Sequence, residues 1–187
     1  FCDLSTGEIS VTEFPADETS HMINEIASYS PAEAVLNSGA AENAPLVSFF
    51  KNRIQCLTET KDELFVPDTC RALTENQFKG SDSLALLSPH GICAVGALLG
   101  YMNDTQKTDL SHISTLRVNS TGTYMEIDVQ SMRNLELVSS LRMMEKKGSL
   151  LWVLDKTKTA MGRRMIRSWV LHPLLSPSEI KRRQGAV

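Results

Sequence analysis

The chain has 187 residues, a length that fits one large domain or two small ones at ~150 residues per domain. Its 42% hydrophobic and 22% charged residues are typical of a globular protein and exclude disordered and fibrous classes. No apolar run approaches the ~18–20 residues needed to cross a bilayer, and no leader peptide is expected. The net charge of −3 hides a split, because residues 1–90 carry −9 and residues 91–187 carry +6. This asymmetry predicts two units with different neighbours.

The first half of the chain alternates short strands with helices, a pattern typical of an α/β sheet. Gly7 supplies the turn of a hairpin between the first two strands, and Asp68 is predicted to cap a helix. Gly96 and Gly100 lie four residues apart in the longest helix and predict close packing against a neighbour. The predicted strands are residues 1–4, 9–14, 34–36 and 64–66, with a polar loop at 39–43 and helices at 17–29, from Pro45, at 68–78 and at 89–106.

The second half is predicted to be mainly helical after one small β-hairpin. The strands of this hairpin are residues 116–118 and 124–127, around a turn at 119–122. Apolar side chains then recur at helical spacing and include Trp152 and Trp169, which are therefore predicted to lie in the core. The predicted helix caps are Asp128, Thr159 and Ser176, the last in a capping box with Glu179.

Basic charge is concentrated in residues 142–187, which contain 11 basic and 3 acidic residues. Such a segment could contact nucleic-acid phosphates or could form a solvated helix face, and both interpretations stay open. The chain begins at Phe1 rather than at a methionine, and Val187 lies within a basic helical pattern. We therefore expect a piece of a longer polypeptide.

Asp3 is a catalytic candidate, because a strand-borne aspartate opens the two-metal nuclease site of RNase H-like folds. That chemistry requires at least two further carboxylates near Asp3. Glu33, Glu63 and Asp68 are available, although none lies in a distinctive motif. The favoured alternative is that Asp3 and Ser5 shape the hairpin.

Cysteines and histidines predict neither a metal site nor a catalytic site. Without a CxxC pair, the cysteines are interpreted as buried structural thiols of a reducing, cytoplasmic compartment. The histidines lack partners at motif spacing and are predicted to be structural. No phosphate-binding loop and no GxGxxG motif occurs, so no cofactor is predicted for this chain. The residues concerned are Cys2, Cys56, Cys70 and Cys93, and His21, His90, His112 and His172.

Several longer stretches resemble the connector and core domains of MutS-type DNA mismatch repair proteins. The opening residues 3–8 fit the family's connector hairpin more weakly, and residues 38–88 match only in general pattern. The stretches that carry the resemblance are residues 91–101 and 104–107 at the end of the connector, 110–113 at the entry to the core, 126–128 and 133–137 at the first core helix, and 148–169 with 172–174 in the core signature.

The resemblance implies a fold and a division of the chain. Residues 1–108 would form an α/β, RNase H-like connector domain with a mixed sheet flanked by helices and without nuclease residues. Residues 109–187 would form the first part of a mainly α core, or lever, domain with the small β-hairpin. Gly162 would permit close helix packing there.

The resemblance also implies a function in DNA repair. The parent protein would be a homodimeric ATPase that uses ATP and Mg²⁺, clamps mismatched double-stranded DNA and recruits MutL. This chain would be non-catalytic, would couple mismatched-DNA binding to the ATPase and would offer a docking surface to MutL. The alternative function is an RNase H-like, metal-dependent nuclease with a helical appendage.

Overall fold

The chain forms two units in a computed structural model that describes residues 1–106, 109–119 and 124–185. The first unit comprises Phe1–Thr19 and Tyr29–Ser120, and the second comprises Ser20–Ser28 and Thr121–Val187. The strands are β1 (Cys2–Asp3), β2 (Glu8–Thr12), β3 (Glu33–Leu36), β4 (Leu57–Thr60) and β5 (Thr115–Asn119). The helices are α1 (Thr19–Tyr29), α2 (Ser38–Ala41), α3 (Ala44–Phe49), α4 (Pro67–Gln77), α5 (Pro89–Gln106), α6 (Val129–Asn134), α7 (Leu150–Leu154), α8 (Ala160–Leu171) and α9 (Pro177–Gln184).

A three-stranded sheet in the order β1-β2-β5 carries one face of the core of the first unit. β1 runs antiparallel to β2, and β5 runs parallel to β2. Ile9 and Val11 alternate with less buried neighbours along β2 and join a core cluster with Leu99 and Ile113. The sheet therefore buries one side of β2, as the period-two alternation in the sequence predicts.

Gly7 makes the predicted turn of the first hairpin. Its φ of 68° lies in the left-handed region, and a Cβ there would fall 2.0 Å from the His112 carbonyl oxygen. Only glycine fits this position, for both conformational and steric reasons. The hairpin prediction is confirmed by the register, in which Cys2 pairs with Ile9 and Asp3 with Glu8.

Two short predictions between α1 and α4 are wrong. Residues 64–66 do not form the predicted strand, and the strand in this region is β4. All four side chains of β4 are exposed, so they carry no alternation between buried and exposed positions. The loop placed at 39–43 is largely occupied by α2, because the Asn37 side chain accepts a hydrogen bond from the Ala40 amide at 2.8 Å. The helix from Pro45 is confirmed and continues as a π-helix over Phe50–Ile54.

The predicted hairpin of the second half is also wrong. β5 pairs with β2 from Glu8↔Thr115 to Thr12↔Asn119, and Tyr124 makes an isolated bridge to Leu174. Residues 120–122 of the predicted turn lie outside the described residues. The first unit extends to Ser120 and therefore includes β5. Where the connector domain ends and the core domain begins is a separate question, so the boundary between residues 108 and 109 stays a prediction.

The caps at Asp128 and Thr159 are confirmed, because their side chains accept hydrogen bonds from the Ser131 amide at 2.8 Å and the Gly162 amide at 3.0 Å. The Asp128 carboxylate has a lowered pKa, chiefly through the Ser131 hydroxyl. Ser176 begins α9 as predicted, but its side chain makes no cap hydrogen bond and contacts the Ser178 hydroxyl at 2.8 Å instead. The capping-box prediction is therefore wrong.

The apolar face of α7 and α8 is exposed, contrary to the prediction for both tryptophans. Trp152 is 48% exposed and Trp169 is 37% exposed, and Met161 reaches 75%. The helical spacing is present, but this face stays largely exposed within the described residues, with Arg183 placed over the Trp169 ring. Gly162 contacts Thr157 and Thr159 in the preceding turn, where a Cβ would meet their atoms at 3.1 Å.

Two helices of the first unit, α4 and α5, approach closely at Gly96. A Cβ at Gly96 would lie 2.3 Å from the Cys70 Cα and 2.4 Å from the Cys70 carbonyl oxygen. At Gly100 the nearest atoms are the ends of two leucine side chains, at 3.4 and 3.8 Å. The prediction of close packing is therefore confirmed for Gly96, whereas Gly100 makes ordinary contacts. In the described residues, no helix is long and apolar enough to cross a membrane.

Gly96→Ala should lower the free energy of unfolding by about 1–3 kcal/mol, because the added methyl group meets backbone rather than a mobile side chain. The matched control is Gly100→Ala in the same helix, which should be neutral or stabilise by up to about 1 kcal/mol through helix propensity. Urea denaturation of the two variants measures the difference. Equal stabilities would contradict the close approach at Gly96.

Candidate functional site at α1

One polar face of α1 binds residues from much later in the chain. His21, Asn24 and Ser28 follow each other at three- and four-residue spacing, so they share a face of the helix. All three belong to the second unit and contact other residues of that unit. We call His21, Asn24, Ser28, Glu126 and His172 the α1 contact site.

Asn24 lies at the centre of this site and uses both ends of its amide. Its Nδ2 donates to Glu126 Oε1 at 2.9 Å, and its Oδ1 accepts from the Val129 amide at 3.2 Å. The Val129 amide is the first of α6, so Asn24 satisfies a donor that has no partner within that helix. Asn24 therefore contacts both the approach to α6 and its first residue.

The Glu126 carboxylate is bound from two sides. His21 Nδ1 lies 2.6 Å from Glu126 Oε2, while Asn24 binds the other oxygen. The Asn24 hydrogen bond, followed by the contact with His21, lowers the pKa of Glu126. The pair is about half exposed, so its charge interaction is screened by solvent and the fixed geometry matters more than the charge.

Ser28 and His172 contact each other at the other end of the site. His172 Nε2 lies 2.9 Å from Ser28 Oγ, which is the separation of a nucleophile and its base. Ser28 Oγ, however, donates its one proton to the Glu25 carbonyl at 2.6 Å, so it accepts from His172. Ser28 is also only 5% exposed. The pair therefore has the geometry of a structural tie rather than of a nucleophile.

The chain around His172 is bound at further points. The Tyr124 ring contacts the His172 ring edge-on, with centroids 5.6 Å apart, and the Met125 amide donates to the Pro173 carbonyl at 2.7 Å. His172 also approaches the Ser168 carbonyl, at the C-terminal end of α8.

The carboxylates considered for a nuclease are not brought together around Asp3. Asp3 Oδ1 accepts from the Ser5 amide at 3.0 Å and from the Ser5 hydroxyl at 2.5 Å, the contacts of a hairpin turn. Glu33 lies instead 3.2 Å from the Tyr101 hydroxyl, and burial followed by Glu33 raises the pKa of Tyr101 to about 12. Glu63 and Asp68 lie in the turn before α4 and in its first turn. Among the described residues, no three acidic, histidine or cysteine side chains are placed to hold a metal ion.

The basic segment contains both paired and free cations. The Lys146 ammonium and the Thr157 hydroxyl lower the pKa of Asp155 to about 2, and Arg183 lies over the Trp169 ring at 4.5 Å from its centroid. Burial lowers the pKa of Arg167. Four exposed cations between α7 and the middle of α8 have no ion pair within the described ranges: Lys156, Lys158, Arg163 and Arg164.

The sequence did not reveal the α1 contact site. Its partners are separated by about a hundred residues or more, as in His21 with Glu126 and Ser28 with His172. The one signal in the sequence was the polar face of α1. A helix that packs only through its apolar face does not need three hydrogen-bonding side chains on its other face. Spacing could identify this face, but not what it binds.

Both parts of the chain match models of known protein families. The family model described as MutS domain II matches residues 1–114, and the model described as MutS domain III matches residues 130–187. The chain is therefore a two-domain segment of the modular class of DNA-repair proteins. The chain belongs to the MutS family of DNA mismatch repair proteins.

Curated relatives match over the whole chain. A protein named DNA mismatch repair protein MutS from Lachnoclostridium phytofermentans is 41% identical over 189 residues, 99% of this chain and 20% of the relative. Proteins of the same name from Clostridium novyi and Staphylococcus aureus are 38% and 37% identical, each over 100% of this chain and 20% of the relative. The chain thus spans about a fifth of the length of the curated relatives it matches.

Asn24→Ala should lower the free energy of unfolding by about 1–2 kcal/mol, because it removes two hydrogen bonds and leaves the Val129 amide without its acceptor. Asn76→Ala is the matched control, since Asn76 is an exposed helical asparagine for which the structure shows no side-chain hydrogen bond. That control should change stability by less than about 0.5 kcal/mol. Denaturant titrations followed by tryptophan fluorescence compare the two, and a harmless Asn24→Ala would argue against the α1 contact site.

Proposed function

We propose that the chain is the connector and the first part of the core, or lever, of a MutS-type mismatch repair ATPase. The order of the two family matches, with identity of 37–41% along the whole chain, carries this proposal. In it, the first unit is an RNase H-like connector without nuclease chemistry. The chain itself is non-catalytic and transmits changes in shape.

The position of α1 supports the proposed coupling. At its ends, Thr19 accepts a hydrogen bond from Asn43 at 3.3 Å, and the Tyr29 ring stacks on Phe1 with centroids 4.4 Å apart. Those four residues belong to the first unit, whereas Ser20–Ser28 belong to the second. The helix α1 thus contains residues of both units, and the proposed coupling runs along its backbone. Coupling through packed, rigid elements of this kind is the physical basis of allostery.

The exposed apolar face of α7 and α8 fits a lever that works inside a larger assembly. Leaving its large apolar side chains in water costs free energy that burial against another surface would recover; they include Met161, Met165 and Trp169. The proposed parent would supply their cover, and it would also supply homodimerisation, mismatched-DNA binding and the ATP and Mg²⁺ chemistry.

MutL docking is the part of this function that the chain can be tested for directly. The immobilised 187-residue chain should bind purified MutL saturably, and binding should persist when salt is raised above about 0.15 M. The salt step separates docking from non-specific attraction to the basic segment, because exposed charges are screened there. Absence of binding, or binding that disappears with salt, would contradict docking on this chain.

A further inference from the structure

Cys70 on α4 and Cys93 on α5 form a pair whose sulfur atoms lie 3.7 Å apart. The Cys93 thiol also lies 3.5 Å from the Phe65 carbonyl oxygen, so its one proton has two possible acceptors, and the Cys70 thiol donates to the Leu64 carbonyl at 3.1 Å. Cys70 is fully buried, at 0% exposure, whereas Cys93 is partly exposed. Cys93 is therefore the less buried residue of the pair.

The approach of the two sulfurs is built into the helix pair. Gly96 lies one turn after Cys93 and lets α5 contact the Cys70 backbone, at distances that any side chain would forbid. The cysteines are thus held by two packed helices of the core rather than by loops. A disulfide has an S–S length of about 2.05 Å, so the sulfurs need to close by only about 1.7 Å.

We propose that Cys70 and Cys93 are an oxidisable dithiol that closes to a disulfide between α4 and α5 when the protein meets a hydroperoxide. The Cys93 sulfur attacks one peroxide oxygen, the O–O bond breaks, and Cys93 sulfenic acid and one water form when hydrogen peroxide is the oxidant. The Cys70 sulfur then attacks the Cys93 sulfur, the S–O bond breaks, and the departing hydroxide takes the Cys70 proton as a second water. Two thiols lose two electrons, and the peroxide gains them.

The order of the two steps follows from the surroundings of each thiol. Burial, followed by Cys93, raises the pKa of Cys70 to about 12, so Cys70 stays protonated and does not react first. Cys93 is the less buried of the two residues, so the proposed first reaction with peroxide is assigned to it. Once Cys93 is oxidised, the Cys70 sulfur is already at contact distance, and this proximity raises the rate at which the small thiolate fraction of Cys70 attacks the Cys93 sulfur.

Hydrogen peroxide added to the folded 187-residue chain tests the proposal. Free thiols should fall from four to two, the intact mass should drop by two hydrogens, and peptide mapping should join Cys70 to Cys93. A thiol reductant should restore all four. In Cys70→Ala, Cys93 should instead accumulate as a sulfenic acid trapped by dimedone. Cys2→Ser, which removes a partly exposed cysteine without touching the pair, should leave the bridge unchanged.

Three outcomes of the oxidation experiment contradict a disulfide between Cys70 and Cys93. Four surviving thiols, a Cys93 that oxidises in the unsubstituted chain without joining Cys70, or a bridge to Cys2 or Cys56 would each overturn the proposal. The first measurements use the unsubstituted chain, so a variant that fails to fold does not affect them. Repeating the oxidation in denaturant should abolish the preference for the Cys70–Cys93 pair. A preference that survives unfolding would show that the helix pair does not cause it.

Discussion

The distance between α4 and α5 is set where Gly96 contacts the Cys70 backbone. Val95 and Leu99 of α5 join the core cluster that also contains Ile9 of β2 and Leu116 of β5. Interiors are packed at crystal-like density, so a shift of this helix pair would open space throughout the cluster. The same approach brings two thiols into contact. Packing of the first unit and its proposed redox chemistry thus share one cause.

The second unit depends on hydrogen bonds more than on a continuous apolar core of its own. The α1 contact site binds the approach to α6 and the end of α8 through Asn24 and Ser28. Leu151 and Leu171 of α7 and α8 are buried, whereas other apolar side chains of these helices, such as Trp152 and Met161, are exposed. A unit of this kind is suited to being completed by neighbouring protein, and membership of the MutS family supplies a setting in which that would occur.

Local signals predicted part of the local structure, but the caps predicted at Asp68 and Ser176 are wrong, because Val66 is the N-cap of α4 and the Ser176 side chain makes no cap hydrogen bond. Asp128 and Thr159 act through atoms within a few residues, and Gly7 acts partly through its own positive φ; all three were correctly placed. Errors arose where the deciding partner is distant. β5 was predicted to form a hairpin, but it pairs with β2 more than a hundred residues away. β4 carries no alternation because both its faces are exposed. The α1 contact site was missed for the same reason, because the sequence shows that one face of α1 is polar but not which residues bind it.

The central claim is that this chain couples the parts of a mismatch repair protein through α1. The most direct measurement replaces the matching segment of the Lachnoclostridium phytofermentans relative with residues 1–187, in a bacterium that lacks its own MutS. The account predicts a mutation rate well below that of a segment-deleted control, with the gain lost in Asn24→Ala/Ser28→Ala and kept in Asn76→Ala. A chimera that accumulates normally, yet mutates as fast as the deletion control, would contradict it.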